Sequence, residues 1–267
     1  MVGLANAGYR AVAPDFRGYG LSDKPTSPET TSFLDLVHDL LGLLDHLHIS
    51  KAFLIAKDFG VRPAYLFALL HPERVRGLIS LGVPYIPPAP STWQTRLPEG
   101  FYISRWQEPG RAEADFGRFD AKTVVKNVYI LFSKNGIPIA EENQEIMDMV
   151  ATSDQLPAWL SNEDLEVYGA LYENSGFQTT LQIPYRSAAE EYDIPDPILR
   201  HPTLLIIGRQ DYFLKFPGIQ DYIESGKVKE FCTDLSIKYI PEGTHFVPEQ
   251  LPEAVNELII DFLALHP

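Results

Sequence analysis

A chain of 267 residues, 45% hydrophobic and 22% charged, has ordinary globular composition, which excludes disordered and fibrous classes and suffices for a large core with a smaller inserted domain. Its formal charge of -14, with 36 acidic against 22 basic residues, repels phosphate backbones and anionic lipid, so neither nucleic acid nor membrane is an expected partner. The single cysteine, Cys232, cannot form an intrachain disulfide, and no apolar run approaches the roughly 18 residues of a membrane span; a soluble cytoplasmic protein is expected.

Met1 to Ala7 reads as the end of an amphipathic helix closed by Gly8, and Tyr9 to Ala13 as a short strand, so the chain is expected to lack a front segment. A Gly- and Pro-punctuated loop, Asp15 to Pro25, leads to a helix over Ser32 to Leu47, with Phe33, Leu36, Val37, Leu40, Leu41, Leu44 and Leu47 at helical spacing. His38, His46 and His48 have no accompanying acidic set or Cys, so no metal is expected there. An unbroken apolar run, Ala52 to Ala56, predicts a buried parallel strand, and a helical pattern starts at Val61 after only Lys57-Asp58-Phe59-Gly60. Ala56, Asp58 and Gly60 form small-x-acid-x-small, the layout of a nucleophile elbow. That pattern arises by chance about once in a chain of this length, and it fits equally an Asp that caps the following helix.

Val75 to Leu81 supplies the next strand, and the alternation predicts a mostly parallel, doubly wound α/β sheet. From Gly82 to Pro90 the chain is proline-dense, and from Trp93 to about Glu191 the patterns are helical. Helices are expected near Glu113 to Phe119, Ala121 to Ser133, Ala140 to Ala151, Asn162 to Asn174 and Gln178 to Glu191. A second proline-rich seam, Asp193 to Pro202, returns to strand-like Thr203 to Gly208 and Leu235 to Ile240 and a final helix, Pro252 to Leu265. The expected division is a core of residues 1–83 and 195–267 with a helical lid, 84–194. Asp211 and His245 then follow strand ends of the same sheet as Asp58, the edge where open α/β sheets place their sites. The order nucleophile, acid, histidine is that of the α/β-hydrolase fold.

These segments resemble the soluble epoxide hydrolases of the α/β-hydrolase superfamily, most closely the plant type. The likeness runs through GYRAVAPDFRGYG, the acid elbow, GFYISRWQEPGRAEADF, IPYRS, GRQDYFLKFPG and EGTHF. It implies Asp58 as nucleophile, Asp211 and His245 as relay partners, and Tyr102 and Tyr185 as lid tyrosines, with Phe59, Tyr102 and Tyr185 contacting substrate. It further implies an epoxide and water as reactants, a vicinal diol as product, no cofactor or metal, and a monomer or homodimer. The chemistry suits these residue types: a carboxylate attacks without a base, phenols protonate a strongly basic leaving oxygen, and a histidine activates the water that opens the ester. Lys57 and Phe59 stand where the family mostly has His and Trp. The Phe59 side chain has no N–H donor for a halide, which disfavours the related haloalkane chemistry. No His-Gly dipeptide occurs, so the family's His-Gly-x-Pro oxyanion loop is expected upstream of Met1, together with several strands preceding the strand at Tyr9 to Ala13. The alternative is a non-catalytic or truncated relative that binds a small apolar ligand under the lid.

Overall fold

The apolar runs become four parallel strands, β1 (Ala52–Lys57), β2 (Val75–Leu81), β3 (Thr203–Gly208) and β4 (Leu235–Ile240), hydrogen-bonded in that spatial order. The structure, a computed structural model, describes residues 1–88, 97–187, 190 and 192–267. Its helices in chain order are α1 (Val2–Asn6), α2 (Phe33–His46), α3 (Val61–Leu70), α4 (Tyr102–Gln107), α5 (Arg111–Phe116), α6 (Ala121–Phe132), α7 (Asn162–Ser175), α8 (Gln178–Leu181), α9 (Ile219–Glu224), α10 (Val228–Phe231), α11 (Val247–Gln250) and α12 (Pro252–Leu265). Among the described residues no helix is long and apolar enough to cross a membrane, and no group of three His, Cys, Asp or Glu side chains is placed to hold a metal ion.

The chain divides into two units, the first comprising Met1–Pro14, Leu34–Pro88 and Tyr192–Pro267. Every position of β3 is buried, because alternate side chains serve opposite faces and both faces are covered. Leu204 and Ile206 join Ile79, Leu81 and the stripe Val255, Ile259, Phe262 and Leu263 of α12, while Leu205 and Ile207 pack with Ile223 of α9. On α3, Ala64, Tyr65, Leu66, Phe67 and Ala68 are all buried, so this helix is enclosed rather than amphipathic. Tyr9 to Ala13 forms no strand: the Tyr9 N–H donates to Leu4 O to close α1, and Tyr9 and Ala11 pack on the core. Its apolar alternation is spent on packing, with no ladder partner. In the observed order β1 is the end strand, with β2 as its one described neighbour.

The second unit comprises Asp15–Phe33 and Ala89–Glu191. Residues 15–33 fall outside the core division expected for them, and long-range contacts within the second unit explain it: Asn174 Nδ2 donates to Gly20 O at 2.9 Å, and Thr179 fills the space over Gly18. Of the expected lid helices, α6 and α7 form nearly as read, each capped by a side chain, Asp120 on Thr123 N and Ser161 on Asp164 N. The expected helix Ala140 to Ala151 does not form beyond a 3-10 turn, Ile146–Met149. The buried Arg105 guanidinium takes the carbonyls of Glu141 (3.0 Å) and Gln144 (2.7 Å) and the Glu145 carboxylate (3.2 Å), so this segment's acceptors serve an ion network instead of a helix ladder. In place of one helix from Gln178, α8 passes into a π-helical turn, Gln182–Arg186, where Pro184 has no N–H to continue the ordinary ladder. Its expected reach through Ala188, Ala189 and Glu191, the start of the helical region at Trp93, and the Ala89-Pro90 end of the first proline seam lie outside the described residues.

Candidate active site

Asp58 follows β1 immediately and takes φ +50, in the left-handed region that non-glycine residues occupy at a cost of about 1 to 3 kcal/mol. Asp58–Gly60 forms a single 3-10 turn between β1 and α3, so strand and helix meet with no intervening loop. The strain falls on the acid itself. Gly60, by contrast, has ordinary helical angles, φ -62 and ψ -17, and a Cβ added there would meet nothing within 4 Å. The turn therefore does not need a glycine at that position, contrary to what the small-x-acid-x-small pattern suggests.

Asp211, three residues beyond β3, and His245, five beyond β4, meet Asp58 at the same end of the sheet. His245 Nδ1 lies 3.0 Å from Asp211 Oδ1 and 3.2 Å from Oδ2, and Nε2 lies 3.5 Å from Asp58 Oδ2. Asp211 is buried and its Oδ1 also accepts from the Phe213 N–H at 2.9 Å, which fixes the carboxylate independently of the histidine. The two delivering loops touch backbone to backbone. Gln210 N–H donates to Gly243 O at 2.9 Å, and a Cβ on Gly208 would stand 2.2 Å from that same carbonyl. Only glycine fits Gly208, and this close approach is what sets the Asp211 loop against the His245 loop.

Burial of His245 by itself would lower its pKa. The charge and hydrogen bond of Asp211 together with the Asp58 charge outweigh that and the opposing Lys57, and the ring is pushed up to about 9. With Nδ1–H directed at Asp211, the second proton occupies Nε2, facing Asp58. For Asp58, packing alone would raise the carboxyl; the charge of His245, then Lys57, then a backbone hydrogen bond from Phe59, bring it below the usual carboxylate range. The Lys57 ammonium does not simply extend to solvent: Nζ lies 4.3 Å from the centroid of the Phe246 ring, a cation–π contact next to His245.

Tyr102 and Tyr185 lie together in the second unit, ring centroids 6.2 Å apart and nearly perpendicular. Trp106 stands against both, at 5.3 Å and 5.1 Å. Tyr102 is buried on α4, whose inward face also carries Ile103, Arg105 and Trp106; a buried arginine in that stripe is why the helix has no clean apolar period. Tyr185 belongs to the π-helical turn, which is tied to α5 by a two-point Arg186–Glu113 ion pair with both contacts at 2.7 Å. Phe59 is partly buried in the elbow turn. Sequence reasoning did not find Gly208, Gly243 or Gln250 as site-shaping residues. Gly208 and Gly243 could be suspected from their positions at strand ends, whereas Gln250 gives no periodic or motif signal at all.

Residues 1–225 match the profile of the alpha/beta hydrolase fold family. Over 270 residues the chain is 33% identical to epoxide hydrolase 3 of Siraitia grosvenorii, an alignment that covers 97% of this chain and 84% of that protein. Among solved structures it is similar to potato (Solanum tuberosum) epoxide hydrolase I, with a TM-score of 0.87 at 30% identity over 99% of this chain and 86% of that one. It is likewise similar to a variant of the Vigna radiata epoxide hydrolase, with a TM-score of 0.90 at 29% identity.

Proposed function

The chain belongs to the epoxide hydrolases of the alpha/beta hydrolase fold, and from that premise we propose that it adds water to an epoxide through an ester on Asp58, releasing a vicinal diol. The observation that carries this reading is the relay geometry: an acceptor-only carboxylate 3.5 Å from one nitrogen of an imidazole whose other nitrogen is 3.0 Å from buried Asp211. In the first step an Asp58 oxygen bonds to a ring carbon of the epoxide as the ring C–O bond breaks. The electron pair stays on the departing oxygen, which takes its proton from the phenol of Tyr102 or Tyr185. In the second step water adds to the Asp58 ester carbonyl while His245 Nε2 takes a proton from it, and the collapsing tetrahedral species takes that proton onto the leaving alkoxide; the Asp58 carboxyl then ionises, and its proton restores the phenol that was spent in the first step. In this reading the Phe59 N–H that bonds the Asp58 carboxylate polarises the ester carbonyl.

Alkylation itself prepares the base. Conversion of Asp58 from anion to neutral ester removes one of the two negative charges that hold His245 protonated, while the opposing Lys57 charge remains. The imidazole is thereby released toward its neutral form at the stage where a base is required. Replacement of His245 by Gln leaves the nucleophile intact and removes the base, so incubation with styrene oxide should give a protein heavier by one substrate molecule in intact-mass spectrometry. The same adduct in an Asp58→Ala variant, or its absence despite turnover by the parent, would refute the assignment.

A further inference from the structure

The loop that delivers His245 is held by a side chain that the reaction scheme does not use. Gln250, the last residue of α11, places Oε1 2.8 Å from the Thr244 N–H and 2.9 Å from the Thr244 hydroxyl, and its Nε2 donates to Glu242 O at 3.0 Å. The amide orientation is fixed by its partners, since a backbone N–H can only donate and a carbonyl can only accept. One carboxamide thus bonds both ends of the three residues that precede His245. The opposite side of the same loop is held by Gln210 N–H on Gly243 O. At 3.5 Å the Nε2–Asp58 contact is longer than an ordinary hydrogen bond and contributes little to holding the ring. The ring's placement therefore depends on Asp211, on the Tyr212 ring packed 4.8 Å from it, and on the backbone on either side of it.

We propose that Gln250 is a positioning residue for the hydrolytic half-reaction, its carboxamide locking Glu242–Thr244 so that His245 Nε2 is aimed at the water that opens the Asp58 ester. The inference rests on the covalent reading above. It predicts a selective effect. Ester formation needs only the Asp58 anion and a proton donor, whereas ester decay needs Nε2 at a defined point, and a displacement of about 1 Å at a reacting group costs up to about 10²-fold. A residue with a merely structural role would slow both steps together.

The test is single-turnover kinetics with styrene oxide, with ester formation and decay followed by rapid quench and intact-mass spectrometry. In Gln250→Leu, which removes all three hydrogen bonds, formation should stay within about twofold of the parent while decay slows by about 10- to 100-fold, so that ester accumulates. Gln250→Glu keeps an oxygen facing Thr244 but sets its second carboxylate oxygen against Glu242 O in place of the donor, so its decay should also be slower than the parent's. Unchanged decay in Gln250→Leu overturns the proposal, as does a fall of formation and decay by the same factor. Should Gln250→Leu fail to fold, Gln250→Glu and Thr244→Val must each slow decay more than formation, or the proposal is wrong. An ester that builds up in His245→Gln but not in the Gln250 variants removes the role of Gln250 alone. No ester in any of them removes the covalent reading beneath it.

Discussion

Asp58, His245 and Lys57 form one electrostatic unit. Lys57 lowers both of its neighbours, so its removal should raise both. Lys57→Met takes away a positive charge that opposes protonation of His245, and it leaves Asp58 less well stabilised as an anion. Both limbs of the pH–rate profile should therefore move to higher pH, by about half a unit to one unit for a neighbouring charge that solvent partly screens. The measurement is kcat/KM and ester decay against pH; an unmoved profile would mean that solvent screens the ammonium fully. The tyrosines have a different signature. Tyr102→Phe and Tyr185→Phe should each slow ester formation by about 10²-fold and leave decay of a preformed ester nearly unchanged, because only the first step creates an alkoxide from the epoxide oxygen. The acid, its relay partners and the two tyrosines are legible as residue types in matching segments, whereas the strain at Asp58 and the clamp on Thr244 are not. A positive φ and a carboxamide's bonding partners are set by long-range packing that leaves no local sequence pattern.

At the level of strands and turns, the sequence carries the four-stranded sheet well and the second unit poorly, for one physical reason. A parallel strand buried on both faces is an unbroken apolar run, so β2 and β3 declare themselves. In the second unit, buried charge does the work that apolar periodicity does elsewhere. Arg105, with 1% of its side chain exposed, sits in the buried face of α4 and satisfies the carbonyls that would have made a helix of Ala140 to Ala151, so one helix is hidden and another is falsely suggested. The glycines of the elbow and of the strand ends make the same point as a testable contrast. Gly60→Ala should change stability by no more than about 0.5 kcal/mol, since its angles are helical and the space is open. Gly208→Ala forces its Cβ against Gly243 O and should cost about 1 to 3 kcal/mol, with loss of activity because the Asp211 and His245 loops are pushed apart. Urea unfolding of the two variants beside the parent decides it; equal midpoints would show that the Gly208 contact relaxes freely.

Taken as a whole, the protein should show an unusual decline of stability on the alkaline side. Folded His245 keeps its proton up to about 9 against an ordinary 6.5, so between those values the folded state binds more protons than the unfolded one. The stabilisation is complete below about 6.5 and is lost as pH rises through 9. Asp58 works in the other direction: its depressed carboxyl contributes above the ordinary carboxylate range and is lost as pH falls through its folded value. Melting temperature should therefore be highest just above the carboxylate range and fall from pH 6.5 to 9, and His245→Gln should flatten that fall. A parent whose melting temperature is constant across the window would show that the imidazole is neutral in the folded protein.

The pairing of β2 with β3 carries a consequence for biosynthesis. Leu78 lies beside Thr203, so two neighbouring strands of one sheet leave the ribosome 125 residues apart, with the whole Ala89–Glu191 segment made between them. At roughly 5 to 20 residues per second, β2 waits about 6 to 25 seconds with its β3-facing edge unsatisfied. Over that interval the nascent chain exposes Ile79 and Leu81 and an open row of backbone donors and acceptors, the combination that invites pairing with the wrong strand. The second unit, whose helices bond mostly to near neighbours in sequence, can assemble during the same delay. Chaperone demand for this protein is thus expected to peak before β3 emerges and to end once Thr203–Gly208 closes the sheet.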